Sequence, residues 1–246
     1  MRQDALVSIV VGLVCLAGLG VSATGQEPAG FGGVWSYGFS TTYSPDSSHI
    51  LIGDSEQRRI WTVGGTYSHV LHQTPHFRFD YEAAVMPVWE ERDPTVTGTE
   101  FFVSGQPVVT QLTPVRVVDV TNNSVGTILT ANGTIAPVYA LFGTENSYGA
   151  AITPLGARVS AMPRWRVQPT FALDLGFVFG SRPLPIDDAT RFNFMFAVGP
   201  GIQFFIGKRD SLRLEYVYRH MSNAGIGDQN PGLDQGVVRV TVSRHR

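Results

Sequence analysis

The chain has 246 residues, a net charge of −2 and only 15% charged residues, against roughly 25% in an ordinary soluble domain. With Lys208 its single lysine and a pI near 6.3, it offers no polyanion-binding surface, which excludes nucleic acid as a partner. An aromatic content of 11% excludes a disordered chain, and a single cysteine, Cys15, excludes a disulfide framework or a cysteine-rich zinc site.

The first segment is an address. Arg2 precedes an apolar and small-residue run over 5–20, and Val21-Ser22-Ala23 follows as a small-x-small cleavage site, with Gly25 as a second candidate. This pattern predicts a secretory signal peptide over 1–23 and a mature domain over 24–246. The run is shorter than the ~20 residues of a membrane-spanning helix, and no later stretch approaches ~18 consecutive apolar residues. Two fates remain for an exported chain: a soluble protein, or a closed membrane barrel whose strands hide their apolarity in alternation.

Period-2 patterning then dominates, and predicts eight strands near 34–43, 59–71, 76–88, 147–160, 165–179, 190–206, 211–222 and 236–244. In the third, Phe77, Phe79, Tyr81, Ala83 and Val85 oppose His76, Arg78, Asp80, Glu82 and Ala84. In the fifth, Phe171, Leu173, Leu175, Phe177 and Phe179 oppose Ala172, Asp174, Gly176, Val178 and Gly180. The sixth sets Phe192, Phe194, Phe196 and Val198 against Asn193, Met195, Ala197 and Gly199. The seventh sets Leu212, Leu214, Tyr216 and Tyr218 against Arg213, Glu215, Val217 and Arg219.

One face is large and aromatic, while the other is small or charged with both signs. A barrel interior of ion pairs (Arg78, Asp80, Glu82, Asp174, Arg213, Glu215, Arg219) with aromatics facing lipid accounts for this. The expected fold is therefore all-β, an eight-stranded antiparallel up-and-down transmembrane β-barrel. A soluble lipocalin-like barrel with its aromatics turned inward around a ligand is the alternative. Tight turns are expected near 72–75, 161–164 and 207–210, and long loops near 44–58, 89–146, 180–189 and 223–235. The 89–146 insertion is too long for a structureless loop. Its Val-rich run 115–120 and the turn signals Asn122-Asn123 and Asn132-Gly133 suit an added hairpin, or two strands prolonged beyond the membrane.

Chemistry concentrates at the end of the seventh predicted strand. His220 and Ser222 are two residues apart, so in a strand they share a face at about 7 Å. Imidazole beside hydroxyl is the pairing that activates a serine nucleophile. A lone His-x-Ser has little specificity, and by residue type alone a surface histidine and a turn serine are the better reading. Parity adds that the pair continues the Tyr216 and Tyr218 face, which points to lipid, where polar groups are expensive unless they serve chemistry. With the N-terminus periplasmic, the seventh strand ends at the outer leaflet, and a substrate there is a lipid.

The run Arg219-His220-Met221-Ser222-Asn223-Ala224-Gly225, followed by Asn230-Pro231-Gly232-Leu233-Asp234, resembles the outer-membrane lipid A 3-O-deacylases of the broader acyloxyacyl hydrolase group. The stretches Ser181-Arg182-Pro183 and Arg191-Phe192-Asn193-Phe194 contribute to the likeness. The resemblance implies a serine esterase that removes an ester-linked 3-hydroxyacyl chain from lipid A of lipopolysaccharide. In it Ser222 is the nucleophile, His220 the general base, Asp234 the orienting acid, and Asn223 with the Gly225 N–H the oxyanion hole. Two departures stand out: Asp234 occupies a position where the best-described members carry Glu, and the chain ends Ser243-Arg244-His245-Arg246 where such barrels commonly end in an aromatic residue.

The mechanism implied needs no cofactor or metal. His69, His72 and His76 carry no converging carboxylates and read as barrel-end histidines. The expected partners are lipid A and the outer membrane, and a homodimer is compatible with the reading. A non-catalytic structural or adhesive barrel is the rival from another class, with the long insertion as its working surface.

Overall fold

A computed structural model describes residues 31–120 and 123–246; the signal peptide expected over 1–23 lies outside them. The described residues contain ten strands and no helix. In chain order these are β1 (Trp35–Ser44), β2 (Arg59–Gln73), β3 (Phe77–Val103), β4 (Gln106–Arg116) and β5 (Ser124–Leu129). They continue as β6 (Ile135–Ala161), β7 (Val167–Leu184), β8 (Thr190–Phe205), β9 (Asp210–Ser222) and β10 (Leu233–His245).

All neighbours are antiparallel, in the order β4-β3-β2-β1-β10-β9-β8-β7-β6-β5. The further pairing of β3 with β6, from Phe77↔Ala161 to Phe101↔Val138, closes eight of the ten strands into a ring. β4 and β5 stand outside it. β4 folds back on the far end of β3 across the Ser104-Gly105 turn, where both residues have positive φ as a tight hairpin requires. β5 pairs with the start of β6. The 89–146 segment is thus built largely of prolonged wall strands carrying one extra strand on each side.

The alternation read from the sequence divides the ring into two environments. Arg78, Asp80, Glu82, Asp174, Arg213, Glu215 and Arg219 are all buried, while Phe39, Trp61, Phe79, Phe171, Phe179 and Tyr216 are exposed. Contacts across the ring identify the buried face as its interior. Arg239 of β10 bonds Asp174 of β7 at 2.5 Å, and Arg213 of β9 bonds Glu82 of β3 at 2.5 Å. Arg158 joins Glu82 and Asp80, and Arg78 bonds Asp80 at 2.8 Å. Buried charge is tolerated because most of these ions meet an opposite one, while Arg219 donates to Gln235 Oε1 at 3.1 and 2.7 Å; unpaired, each costs several kcal/mol.

Nearer the long-loop end the interior becomes apolar, with Ile60, Met86, Val178, Leu184, Met195, Met221 and Leu233 in one cluster. The Arg219 guanidinium lies 4.7 Å over the Trp89 ring beside them. Above this layer a second ion network caps the ring. Arg58 meets Asp93 at 3.3 Å and Glu91 at 3.7 Å, and donates to the carbonyls of Glu56, Val117, Val118 and Pro185. Arg116 bonds Asp187 at 2.6 Å, and Ser147 at 3.1 Å.

Two departures from simple alternation matter. A bulge between Met86 and Trp89 leaves Pro87 and Val88 both outward. It carries the inward set of β3 from even residues (Arg78 to Met86) to odd ones (Trp89, Glu91, Asp93). Second, the long loop expected over 180–189 shrinks to 185–189, because β7 continues past an irregularity to pair Leu184 with Thr190. The connections at 74–76, 162–166 and 206–209 are short, whereas 45–58 and 223–232 are long and share the opposite end of the ring.

Candidate active site

Antiparallel register builds the core of the site. β9 and β10 pair so that His220 and Asp234 are direct Cα partners, a position that brings Cβ atoms within about 5 Å. His220 Nδ1 lies 2.6 Å from Asp234 Oδ1. A carboxylate only accepts, so Nδ1 carries the hydrogen and Nε2 is left with its lone pair, free to take a proton.

Asp234 is held from two sides. Its Oδ1 also accepts from the Tyr218 hydroxyl at 2.8 Å. Its Oδ2 accepts backbone N–H groups of Leu51 at 2.7 Å and Ile52 at 2.9 Å. The loop bearing those amides approaches so closely that a Cβ on Gly53 would stand 2.6 Å from Asp234 N and 2.9 Å from Oδ1. These contacts supply what the short aspartate side chain cannot reach for itself: the 45–58 loop comes down to the carboxylate.

His220 belongs to the outward set of β9, yet it is only 8% exposed. Phe196 of β8 faces it at 5.5 Å between ring centroids, and Gly232 packs near its Cε1 edge. Ser222 continues the same outward set and is half-buried, opposite Phe194. Among the described residues no hydrogen bond joins Ser222 to His220; such catalytic bonds are often long until substrate arrives. Around the pair Leu51, Ile52, Ile226, Phe194 and Tyr216 are exposed, so the site opens on an apolar surface.

The turn after β9 is organised by Asn223, which is almost fully buried. Its Nδ2 donates to Gln229 O at 2.8 Å, and its Oδ1 accepts the Gly225 N–H at 2.9 Å. Asn230 Oδ1 accepts the Asn223 N–H at 3.0 Å. One hydrogen of the Asn223 amide therefore remains for another acceptor, whereas the Gly225 N–H is already used. Ser181-Arg182-Pro183 lies at the end of β7, where Arg182 pairs with Glu145 at 2.6 Å. Phe192 of β8 stacks on Phe177 at 5.5 Å between ring centroids, and Phe194, opposite Ser222, meets Phe177 edge to face at 5.6 Å.

The structure thus brings His220 and Asp234 together, with Ser222 on the same face of β9 and Asn223 in the turn that follows it. It adds Tyr218 and the Leu51 and Ile52 amides, which the sequence reading missed. Tyr218 shares the parity of His220, so that signal was present; backbone donors carry none. Among the described residues no group of three or more His, Cys, Asp or Glu is placed to hold a metal ion.

Among solved structures the chain is similar to the outer membrane enzyme PagL, at 12% identity and a TM-score of 0.46, covering 83% of this chain and 97% of that one. It is also similar to Neisserial surface protein A (11%, TM-score 0.41, 86% and 97% covered). OprG from Pseudomonas aeruginosa gives 10%, TM-score 0.42, with 90% and 100% covered. No curated protein matches by sequence. The profile of one family, described as lipid A 3-O-deacylase (PagL), matches residues 35–243. The chain belongs to the lipid A 3-O-deacylase family.

Proposed function

We propose that the chain is an outer-membrane serine esterase that removes an ester-linked 3-hydroxyacyl chain from lipid A at the outer leaflet. Its ring of eight strands spans the membrane as a barrel, after export on a cleaved signal. The observation that carries this is the 2.6 Å His220–Asp234 contact on the outward face of the wall, with Ser222 on the same face. A structural barrel has no use for a buried imidazole–carboxylate pair on its apolar outer surface, where polar groups are costly.

Ser222 Oγ attacks the ester carbonyl while His220 Nε2 takes its proton. Asp234 holds the ring and balances the imidazolium that forms. The free hydrogen of the Asn223 amide meets the oxyanion, and the Gly225 N–H fixes that amide by binding its Oδ1. Collapse expels the sugar hydroxyl, which takes the proton back from His220. Water, activated by the same base, then releases the hydroxy fatty acid and restores Ser222.

The test is mass spectrometry of lipid A from cells expressing the wild type beside Ser222→Ala and His220→Ala. Loss of one hydroxyacyl mass in the wild type alone is expected. Unchanged lipid A in every strain, with the barrel shown by heat-modifiable gel mobility to be inserted, refutes the proposal.

A further inference from the structure

Arg59 of β2 and Arg92 of β3 are direct cross-strand partners, and both point outward. Like charges placed opposite each other destabilise a sheet, and among the described residues no ion pair neutralises them. Among the described residues Arg59 has no hydrogen-bond or ion-pair partner. Arg92 bonds only the Thr144 hydroxyl, through Nε at 3.0 Å and a terminal nitrogen at 2.9 Å. The two line a cleft of about 430 Å³ together with Pro45, Asp46, Gln57 and Thr144. Asp46 makes no ion pair with either, and Glu90, two residues from Arg92 on the same face, is held instead by the Asn146 amide at 3.0 Å, so both guanidiniums keep donors free for an added anion.

Its height on the wall is defined by the pairs beneath it. Trp61 is opposite Glu90 on β3 and opposite Tyr43 on β1, and both aromatic rings are exposed. Exposed Trp and Tyr mark the membrane–water interface. Arg59 stands two residues beyond Trp61, about 7 Å further toward the long-loop end, at head-group level. Around the wall, β10 and β1 separate β9 from β2, which places Arg59 roughly 14 Å from the His220 strand at about 4.8 Å per strand. That is the reach of a disaccharide head group.

We propose that the Arg59–Arg92 cleft binds a phosphate monoester of a lipid head group, foremost a sugar phosphate of the glycolipid whose ester meets Ser222. This rests on the outer-membrane reading above. Two guanidiniums match the paired oxygens of a phosphate and hold it by charge-assisted bonds, and the bound anion removes the repulsion between them. It also sets the head group at a fixed distance from the nucleophile, which selects the acyl position presented.

The experiment uses the full chain in detergent with Ser222→Ala, so that bound lipid is not consumed, and native mass spectrometry to follow retention. The probes are phosphorylated lipid A, the same lipid with its phosphates removed, and phosphatidic acid. About tenfold tighter retention of the phosphorylated form is expected, with the preference lost in Arg59→Gln/Arg92→Gln. Heat-modifiable mobility verifies that this variant stays folded. Arginine-dependent retention of phosphatidic acid supports the cleft and assigns the phosphate to a phospholipid neighbour; its absence assigns it to the glycolipid. Equal retention of the two lipid A forms, or a phosphate preference that survives in the double variant, overturns the proposal. Because retention needs no turnover, this outcome is independent of whether the chain proves to be an esterase.

Discussion

Gly53→Ala is expected to slow the reaction without unfolding the barrel. The added methyl would lie 2.6 Å from Asp234 N, and 2.9 Å from both Leu233 C and Asp234 Oδ1. Two of those atoms are backbone of β10 at residues paired with β9, which holds them in place. The 45–58 loop must therefore move outward, by about 1 Å to restore ordinary van der Waals contact. At that displacement the Leu51 and Ile52 amides, at 2.7 and 2.9 Å from Oδ2, leave hydrogen-bond range. Each bond to a charged acceptor contributes about 1.5–3 kcal/mol. With 1.36 kcal/mol per tenfold in rate, loss of one such bond's worth of positioning lowers kcat by about 10- to 100-fold. The assay is release of 3-hydroxy fatty acid from lipid A in mixed micelles, with kcat and KM resolved and gel mobility reporting the fold. A folded Gly53→Ala with wild-type kcat would falsify the idea that this loop positions the acid.

Asp234→Asn should cut kcat by about 10⁴-fold, because the imidazole then loses the acceptor that fixes its tautomer; a change under tenfold removes Asp234 from the mechanism. Tyr218→Phe keeps the ring against Phe196 and removes only the hydroxyl bonded to Asp234, so kcat is expected to fall about tenfold at constant KM, and equal kcat would assign Tyr218 to packing alone. Arg58→Met leaves Glu91 without its ion-pair partner and Asp93 with Arg116 alone; a loss of about 3–5 kcal/mol in urea unfolding is expected, and an unchanged midpoint contradicts it. Burial by itself would raise the Asp187 carboxyl, but its hydrogen bonds and ion pair with Arg116 outweigh this and hold it below the usual carboxylate range. A lowered value means the contact's stabilisation is complete above about pH 4, the ordinary aspartate value, and fades as pH falls through the lowered one. Hydrogen-exchange protection at the Arg116 end of β4, taken relative to the intrinsic rate at each pH, should fall over that acid interval in the wild type and be flat in Asp187→Asn.

The sheet was legible because strand alternation is local. Phe171 to Phe179 and Leu212 to Tyr218 each declare two faces within nine residues or fewer, whatever they pair with. Pro87 inside a strand hints at a bulge, but only pairing with β2 and β6 fixes that the inward set changes there from even to odd. Without that change Arg92 would face the interior and Glu91 the outside, and the cleft beside Arg59 would not exist. The prolonged β3 and β6 stayed one of two options for a related reason. Val- and Thr-rich strands exposed on both faces, such as Gln106–Arg116, alternate weakly.

The sequence by itself determined a low-charge, all-β chain with a two-faced wall, and it put His220 and Ser222 on the same face as Tyr218. Strand periodicity is enough for that, because side-chain direction follows from position along one strand. Only the tertiary structure decided that Asp234 stands opposite His220, that the ring closes through β3 and β6, and that the 45–58 loop lends two amides to the carboxylate. Register, closure and loop approach depend on residues far apart in the chain, and a backbone N–H that does the holding leaves no mark in the sequence that carries it.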